Sequence, residues 1–506
     1  MIIDYAQKQE TMDISYVTDD GRIEIESVVL RDGYYNYVAC DEYDPMKIDT
    51  LRSFRGQYIK REPAKYFTHH NVNEYMSRGL RDEHPDVHER VSKMNMPLPF
   101  SVDIETDITD EYGYSTAEAV ENPVRSISIT DINLNSVLFI VRNPDHPVIT
   151  PTDNNQIDAV LREALGDYYI RYEYKREIRV FDSEKEMLDT FFQCINKFFH
   201  STIGWNYIQY DWQYLFNRAK KIGIDVKKTS PKNVLMKAKL KISPTLTVEY
   251  EAPKHRVLID YMVLFKRSQK FNNWESYSLN YASETILGLQ KVSYEGNLRK
   301  LYNENYSRFI GYAFIDTILV MLLHKATNLY GTNFFHSYYT NVPVNRLSQT
   351  SISEALVYNE LRADNIFLLE SECNQTEKRP YEGGYVKNPT KKFVDCVMGV
   401  DFASLYPSTI NTVCLSPERK IDHIIVGEDG FPANPIEEQR WQKYKEKGCC
   451  LSPMGRVYDN NGDGLYVRIE KKLGAERKKY KGHQNDIYLN ILPKLEEEMK
   501  KRGLVK

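Results

Sequence analysis

The stretch Pro99-Phe-Ser-Val-Asp-Ile-Glu-Thr106 sets the reading of the whole chain. Its apolar and small residues fit a short strand, and side chains two apart on a strand leave by the same face, so Asp103 and Glu105 stand side by side. Paired carboxylates on one face suit a hard cation such as Mg²⁺, which takes oxygen ligands and completes its shell with phosphate. A solvated strand face carries the same alternation, so the pair needs further acidic groups before it carries chemistry.

Two later segments supply them. In Gly204-Trp-Asn-Tyr-Ile-Gln-Tyr-Asp211 a loop runs into a helix with Asp211 at the entry, where the positive end of a helix also favours a carboxylate for structural reasons alone. In Tyr312-Ala-Phe-Ile-Asp316 a strongly apolar helix places Tyr312 and Asp316 one turn apart on one face. An aspartate among Ile315, Ile318, Leu319 and Leu322 is costly to desolvate unless a cation or a hydrogen-bond donor faces it. A core tyrosine beside a surface aspartate is the competing reading.

The second half of the chain holds Val397-Met-Gly-Val-Asp-Phe-Ala-Ser-Leu-Tyr-Pro-Ser408. Its pattern predicts an apolar strand over Phe393–Phe402 that delivers Asp401 to its end. Upstream, the glycines of Tyr381-Glu-Gly-Gly384 permit a close backbone approach, although a plain turn explains them equally. Downstream, Glu476-Arg-Lys-Lys-Tyr-Lys481 sets Arg477 and Lys481 one helical turn apart, as a solvated basic face also would.

Taken together, the order Asp-x-Glu, Asn-x-x-x-x-Asp, Tyr-x-x-x-Asp resembles the three exonuclease motifs of the DEDD group, tyrosine variant, in family B replicative DNA polymerases of the T-even-phage-like kind. The resemblance implies an α/β, multidomain fold: an RNase H-like 3′→5′ exonuclease domain, an N-terminal mixed α/β domain, a partial polymerase palm and the start of helical fingers. It implies that Asp103, Glu105, Asp211 and Asp316 hold two Mg²⁺ ions and that Tyr312 helps to place the attacking water. Ser276-Tyr-Ser-Leu279, ahead of a helix-like Asn280–Ile286, resembles a stretch carried between the second and third exonuclease motifs. Leu240–Asp260 falls where such phage enzymes carry a strand-separating hairpin. Tyr381–Gly384 resembles the element joining exonuclease and polymerase regions, and Val397–Ser408 resembles polymerase motif A. On that likeness Asp401 is a ligand of both polymerase metals, and Leu405 and Tyr406 lie beneath the incoming dNTP, with Tyr406 excluding a ribose. Arg477 and Lys481 resemble the pair that grips the triphosphate from the first fingers helix.

Bulk properties bound this reading. A chain of 506 residues exceeds what one core usually holds. The expected domains are 1–97, completed by 329–380, as the N-terminal domain; 98–328 as the exonuclease; 381–469 as a partial palm; and 470–506 as the first fingers helix. With 42% apolar and 27% charged residues the composition is that of a soluble globular protein, and no run reaches the ~20 apolar residues of a membrane span. The start, Met1-Ile-Ile-Asp-Tyr-Ala-Gln-Lys8, lacks the basic flank of a signal peptide, which predicts a cytoplasmic location, that of the bacterial host for a phage protein. Seven cysteines without a Cys-x-x-Cys pair argue against a disulfide framework and a zinc site. The net charge of −4 leaves nucleic-acid binding to local Lys and Arg stripes. Periodicity predicts a helical stretch over Asn71–Lys93, strands at Ser126–Thr130, Ser136–Val141 and Ile178–Phe181, and helices at Glu184–Phe199, Trp212–Ile222 and Arg308–Ala326. A polar, linker-like region follows as far as Pro389, and a helical tail begins at Glu470.

Motif A supplies one of the two polymerase aspartates. Nothing after Asp401 resembles the family's Lys-x-x-x-Asn-Ser-x-Tyr-Gly helix, motif B, or its Asp-Thr-Asp hairpin, motif C. The expectation is a polymerase split or truncated in the fingers, whose site for two further Mg²⁺ ions is completed by a C-terminal chain with motifs B and C. The expected partners are primer-template and single-stranded DNA, dNTPs, that second chain, a sliding clamp and RNA, and no membrane. Two other readings stand beside it: a free-standing 3′→5′ exonuclease whose palm remnant only packs, and a non-catalytic nucleic-acid-binding module. Retention of Asp401, Tyr406 and the Arg477/Lys481 pair weighs against the first, and the full carboxylate set against the second.

Overall fold

The structure, a computed structural model, describes all residues except 32, 41–50, 55, 66–68, 108–112, 244, 269–273, 365, 368–387, 389–392, 394, 403 and 503–506. Contacts gather the chain into two units, Met1–Tyr34 with Ala64–Ile352, and Tyr35–Pro63 with Ser353–Lys506.

The first unit opens with an antiparallel sheet of β1 (Ile2–Lys8), β2 (Thr11–Val17) and β3 (Ile23–Val29). Short helical turns cover His69–Val91, in line with the helical stretch read from the sequence. A six-stranded mixed sheet then carries the unit. Strands β4 (Pro99–Thr106), β5 (Val124–Thr130) and β6 (Ser136–Val141) form an antiparallel meander. Parallel to its two flanks run β7 (Arg176–Phe181) beside β6 and β8 (Ser201–Gly204) beside β4. Between β8 and the last strand a hairpin of β9 (Leu235–Lys241) and β10 (Thr247–Pro253) stands apart. Strand β11 (Val257–Asp260) closes the order β7-β6-β5-β4-β8-β11.

Parallel neighbours need crossovers, and here they are helices. Between β6 and β7 lies α1 (Pro151–Leu165), between β7 and β8 α2 (Glu184–Lys197), and after β8 α3 (Asp211–Lys221). Beyond β11 come α4 (Tyr261–Ser268), α5 (Leu279–Leu287) and α6 (Tyr306–Thr327). Alternate strand residues feed two cores. Leu138, Ile140, Ile203 and Ile259 pack with α1 and α6, while Val102, Ile104, Ile127, Ile129 and Phe139 pack with α2 and α3. Strands buried on both faces explain why this sheet reads as runs of Val and Ile. The arrangement is the α/β layering expected of an RNase H-like domain.

Helix α1 had escaped the sequence reading although its signals are present. Thr150 and Asp153 cap each other's backbone N–H groups, Pro151 opens the helix, and Ile157, Leu161 and Leu165 bury one face. Helix α6 is long and apolar enough by composition to cross a membrane, yet 83% of its most apolar stretch is buried within the protein. The linker-like reading after Leu329 is corrected as well. Leu329–Thr340 and Gln349–Ala363 are helices, and their polar look arises because each has one buried stripe, Tyr330, Phe334 and Ser337 in the first, Ala355, Tyr358 and Leu361 in the second.

In the second unit Ile366–Phe367, Leu51–Ser53, Tyr58–Pro63 and Tyr35–Ala39 form one sheet, and Lys420–His423, Arg456–Tyr458 and Cys450–Leu451 another. The helical tail runs through Leu465–Asp486 to Lys501. The strand expected at Phe393–Phe402 is absent among the described residues. Val397, Met398, Val400 and Phe402 are between 71% and 87% exposed, and no described strand pairs with them. An extended segment without a neighbour has no partner for its N–H and C=O groups, so β-propensity alone does not make a strand.

Candidate active site

Strand β4 ends in the centre of the sheet and carries Asp103 and Glu105 out of one face, toward α6. One carboxylate oxygen from each, with one from Asp316 of α6, lie within 4.8 Å of one another, the one such acidic group among the described residues. Glu105 and Asp316 are buried and Asp103 is half-buried.

Asp211 arrives from the other side. It opens α3, whose Trp212, Tyr214 and Leu215 are wholly buried; Trp212 Nε1 donates to Glu251 O at 2.7 Å and the Tyr214 hydroxyl to Asn122 O at 2.6 Å. The backbone N–H of Ile104, the residue between Asp103 and Glu105, acts on the Asp211 carboxyl to favour its charged form, against burial and Asp103, which raise its pKa. The preceding loop is pinned from beneath by Asp260, at the end of β11, which accepts from Ile208 N and Val263 N, each at 3.1 Å. Gly204, where β8 turns into this loop, tolerates no side chain. A Cβ there would stand 2.6 Å from Val102 O and 2.8 Å from Tyr207 Cβ.

So much negative charge in one place raises the affinity of these groups for protons. Loss of water, with the Asp316 carboxylate beside it, pushes the Asp103 carboxyl up to about 8. Burial and then Asp103 push Glu105 and Asp211 well above the carboxylate range. Among the described residues Lys291 answers them. Lys291 Nζ donates to Asp316 Oδ2 at 2.5 Å, and although burial works against its charge, Asp316, Asp103 and Glu105 outweigh that and raise its pKa. Its backbone N–H is held by Asn280 Oδ1 at 2.8 Å. Tyr312, one turn before Asp316, meets Tyr294 edge to face with ring centres 5.2 Å apart. Burial, then Glu105 and Asp316, raise the Tyr312 phenol far above its ordinary value, so it stays protonated and donates.

The donor set is all oxygen and its charge is only partly offset. Asp316 Oδ1 is buried without a hydrogen-bond partner. These features fit divalent cations, which take carboxylate oxygens and would relieve the crowding.

Comparison with known proteins gives the same answer. Residues 80–282 match the family model described as DNA polymerase family B, exonuclease domain, and residues 340–485 match that described as DNA polymerase family B. The chain belongs to DNA polymerase family B. It is 27% identical over 388 residues to the DNA-directed DNA polymerase of Escherichia phage RB69, covering 74% of this chain and 41% of that protein. It is 28% identical over 308 residues to the DNA-directed DNA polymerase of Enterobacteria phage T4, covering 60% of this chain and 33% of that protein. A DNA polymerase of Pyrococcus horikoshii is 28% identical over 263 residues, 48% of this chain and 20% of that protein. The chain thus spans less than half the length of these relatives.

For a family B exonuclease domain the six-stranded sheet is the RNase H-like core, and divalent metals are the family's cofactors. The Ser276–Leu279 stretch contains Ser278, whose side chain caps α5 by accepting from Tyr281 N at 3.2 Å. The antiparallel hairpin of β9 and β10 spans Leu235–Pro253 and so overlaps the Leu240–Asp260 segment.

The polymerase side is less gathered. Asp401 is exposed in an unpaired segment. Leu405 and Tyr406 open the helix Leu405–Val413 and are 51% and 82% exposed. That helix leads to Ser416 and Glu418, which cap the helix Leu465–Asp486 by accepting from Tyr466 N at 2.9 Å and Leu465 N at 2.6 Å. Arg477 and Lys481 lie on it one turn apart, both exposed. Tyr381-Glu-Gly-Gly384 lies outside the described residues.

Sequence reasoning missed Lys291 and Asp260. The desolvation cost of Asp316 demanded a cation but could not say which lysine. Asp260 ends an apolar strand, a position that carries no pattern of its own.

Proposed function

We propose that this chain is the proofreading part of a phage replicative DNA polymerase, acting in the bacterial cytoplasm. It removes nucleotides from the 3′ end of a DNA strand by two-metal phosphodiester hydrolysis, and it carries half of a nucleotidyl-transfer site. The observation that carries this reading is the meeting of Asp103, Glu105 and Asp316 within 4.8 Å, with Asp211 near enough for the Asp103 charge to raise its pKa.

Asp103, Glu105, Asp211 and Asp316 are the residues to hold two Mg²⁺ ions, whose chemistry is to activate water and to stabilise the leaving 3′ oxygen. Tyr312 keeps its proton and orients the attacking water by donating to it. Lys291 holds Asp316 in place and offsets charge before the ions bind. Loop residues Asn206–Tyr210, pinned by Asp260, keep Asp211 from swinging out.

On the polymerase side we assign Asp401 to the catalytic metals, Leu405 and Tyr406 to the sugar and base of the incoming dNTP, and Arg477 with Lys481 to its triphosphate. Asp401 belongs to no acidic cluster among the described residues, and the apolar run around it is bare. Both features support completion by a segment bearing motifs B and C, which we place on a partner chain. The same bareness favours a second reading, a free exonuclease in which the polymerase segment is idle.

The test uses 5′-labelled single-stranded DNA with Mg²⁺. A ladder shortening from the 3′ end with the full chain, absent with Asp103→Ala/Glu105→Ala, supports the reading, whereas intact oligonucleotide with both refutes it. Primer extension on adding a chain with motifs B and C, and none without it, separates the split polymerase from the free exonuclease.

A further inference from the structure

Four hydroxyls join α6 to the sheet beneath it. Thr317 Oγ1 lies 2.9 Å from Ser128 Oγ and 2.8 Å from Thr130 Oγ1, and Thr130 Oγ1 lies 2.8 Å from Ser136 Oγ. Thr317 also donates to Phe314 O at 2.9 Å within its own helix. All four residues are at most 4% exposed.

The chain meets a carbonyl at each end, Phe314 O at 2.9 Å from Thr317 Oγ1 and Leu134 O at 3.4 Å from Ser136 Oγ, and the shorter contact sets the direction of the bonds. A carbonyl oxygen can only accept, so the Thr317 proton goes to Phe314 O. Its lone pairs then receive the protons of Ser128 and Thr130, and Thr130 receives that of Ser136. No hydroxyl in the chain lacks a partner, in contrast to Ser126 on β5 and Ser101 on the neighbouring β4, whose oxygens have none.

The position of this chain matters more than its strength. Ser128 is the cross-strand partner of Asp103, and Thr317 follows Asp316 directly. The hydroxyls therefore tie the helix that carries Asp316 and Tyr312 to the strand paired with the one that carries Asp103 and Glu105. Other directional bonds hold α6 near its ends, at Ser307, Arg308 and Thr327, and at Asp316 itself through Lys291; around the rest of its circumference the helix is buried by apolar contacts. Such contacts are not directional and allow a helix to slide or roll by fractions of an ångström, whereas hydrogen bonds have a set length and angle.

We propose that Thr317 is a positioning residue that sets the height and rotation of α6, and with them the spacing of Asp316 from Asp103 and Glu105 that a metal pair requires. The inference rests on the metal-binding reading of the acidic cluster. Outer groups that orient ligands change metal affinity by about 10–100-fold when removed.

The experiment measures Mn²⁺ binding to the full chain without DNA, by electron paramagnetic resonance, alongside the melting temperature and the Mg²⁺ concentration that half-saturates strand shortening. Thr317→Val, which keeps the shape and loses the hydroxyl, is expected to weaken Mn²⁺ binding about tenfold or more, and Thr317→Ser to restore it. Ser128→Ala/Thr130→Val/Thr317→Val removes the two donors that Thr317→Val strands and leaves Ser136 its bond to Leu134 O at 3.4 Å, so its melting temperature recovers toward that of the native chain while Mn²⁺ binding stays weak. Native affinity in folded Thr317→Val, or affinity that returns with melting temperature in the triple variant, overturns the proposal. A native chain that binds Mn²⁺ through Asp103 and Glu105, loses it in Thr317→Val and cuts no DNA would refute the nuclease reading and leave this inference standing. A native chain that binds no Mn²⁺ at the cluster overturns both.

Discussion

Lys291 Nζ sits 2.5 Å from Asp316 Oδ2 and is the cation facing Asp103, Glu105 and Asp316. The pair joins the loop after α5 to the middle of α6, so it is at once a structural clamp and a counter-charge. Its removal leaves Asp316 buried with neither oxygen satisfied. Lys291→Met is expected to cost the metal-free fold about 1–3 kcal/mol, the usual range for an unmade buried hydrogen bond, with part of the loss recovered on adding Mg²⁺. Urea denaturation with and without Mg²⁺ measures both, and an unchanged midpoint would show that the clamp is idle.

Proton uptake gives a second expectation. The folded-state pKa of Asp103, pushed up to about 8, exceeds the unfolded value near ~4. The folded state therefore binds the extra proton between these values, and stability from this group is full below pH ~4 and is lost as pH rises through about 8. Bound metal requires the carboxylate, so its binding must expel that proton. Calorimetric titration with Mg²⁺ at pH 7, in buffers of different ionisation enthalpy, should show proton release, and the metal should raise the melting temperature more at pH 8.5 than at pH 5.5. Equal shifts at both would contradict the charge crowding.

The loop that presents Asp211 depends on two small features. Asp260→Asn replaces one acceptor with a donor that faces the N–H of Ile208 or Val263, and Gly204→Ala drives a Cβ to 2.6 Å from Val102 O. Each is expected to destabilise by roughly 1–3 kcal/mol and to lower the exonuclease rate, because the backbone shift reaches Asp103 and Asp211. Thermal melts and strand-shortening rates on the same preparations check this; wild-type rates in both variants would count against it.

Tyr312 keeps its proton across the working pH range because burial and the carboxylates disfavour its ionisation. On the proposed reading it is therefore a donor to the attacking water and not the base. Tyr312→Phe should lower kcat about 10–100-fold with little change in KM, and the pH profile should lack any limb owed to a tyrosine. A fall confined to KM would assign the hydroxyl to substrate binding instead.

Much of the site was legible before any coordinates. Strand and helix periodicities paired Asp103 with Glu105 and Tyr312 with Asp316, while their joining with Asp211 into one candidate site came from the resemblance of three motifs in a fixed order to those of family B polymerases. The strands read at 126–130, 136–141 and 178–181 and the helices α2, α3 and α6 were readable from the same periodicities. What stayed hidden depends on contacts between distant segments. Lys291 is an ordinary lysine until α6 folds against it, and Thr317 is an ordinary threonine until Ser128 and Thr130 lie beneath it. The apolar run at Phe393–Phe402 failed in the opposite sense, since its composition promises a strand that only neighbouring strands could realise.

The central claim is that four carboxylates form one cage for two divalent ions. Crystals of the chain grown with Mn²⁺ and a short single-stranded DNA, and measured at the manganese absorption edge, test it most directly. The expected anomalous map shows two peaks roughly 3.5–4 Å apart, between Asp103, Glu105, Asp211 and Asp316. A map without a peak at these residues, or with manganese bound only elsewhere, would contradict it.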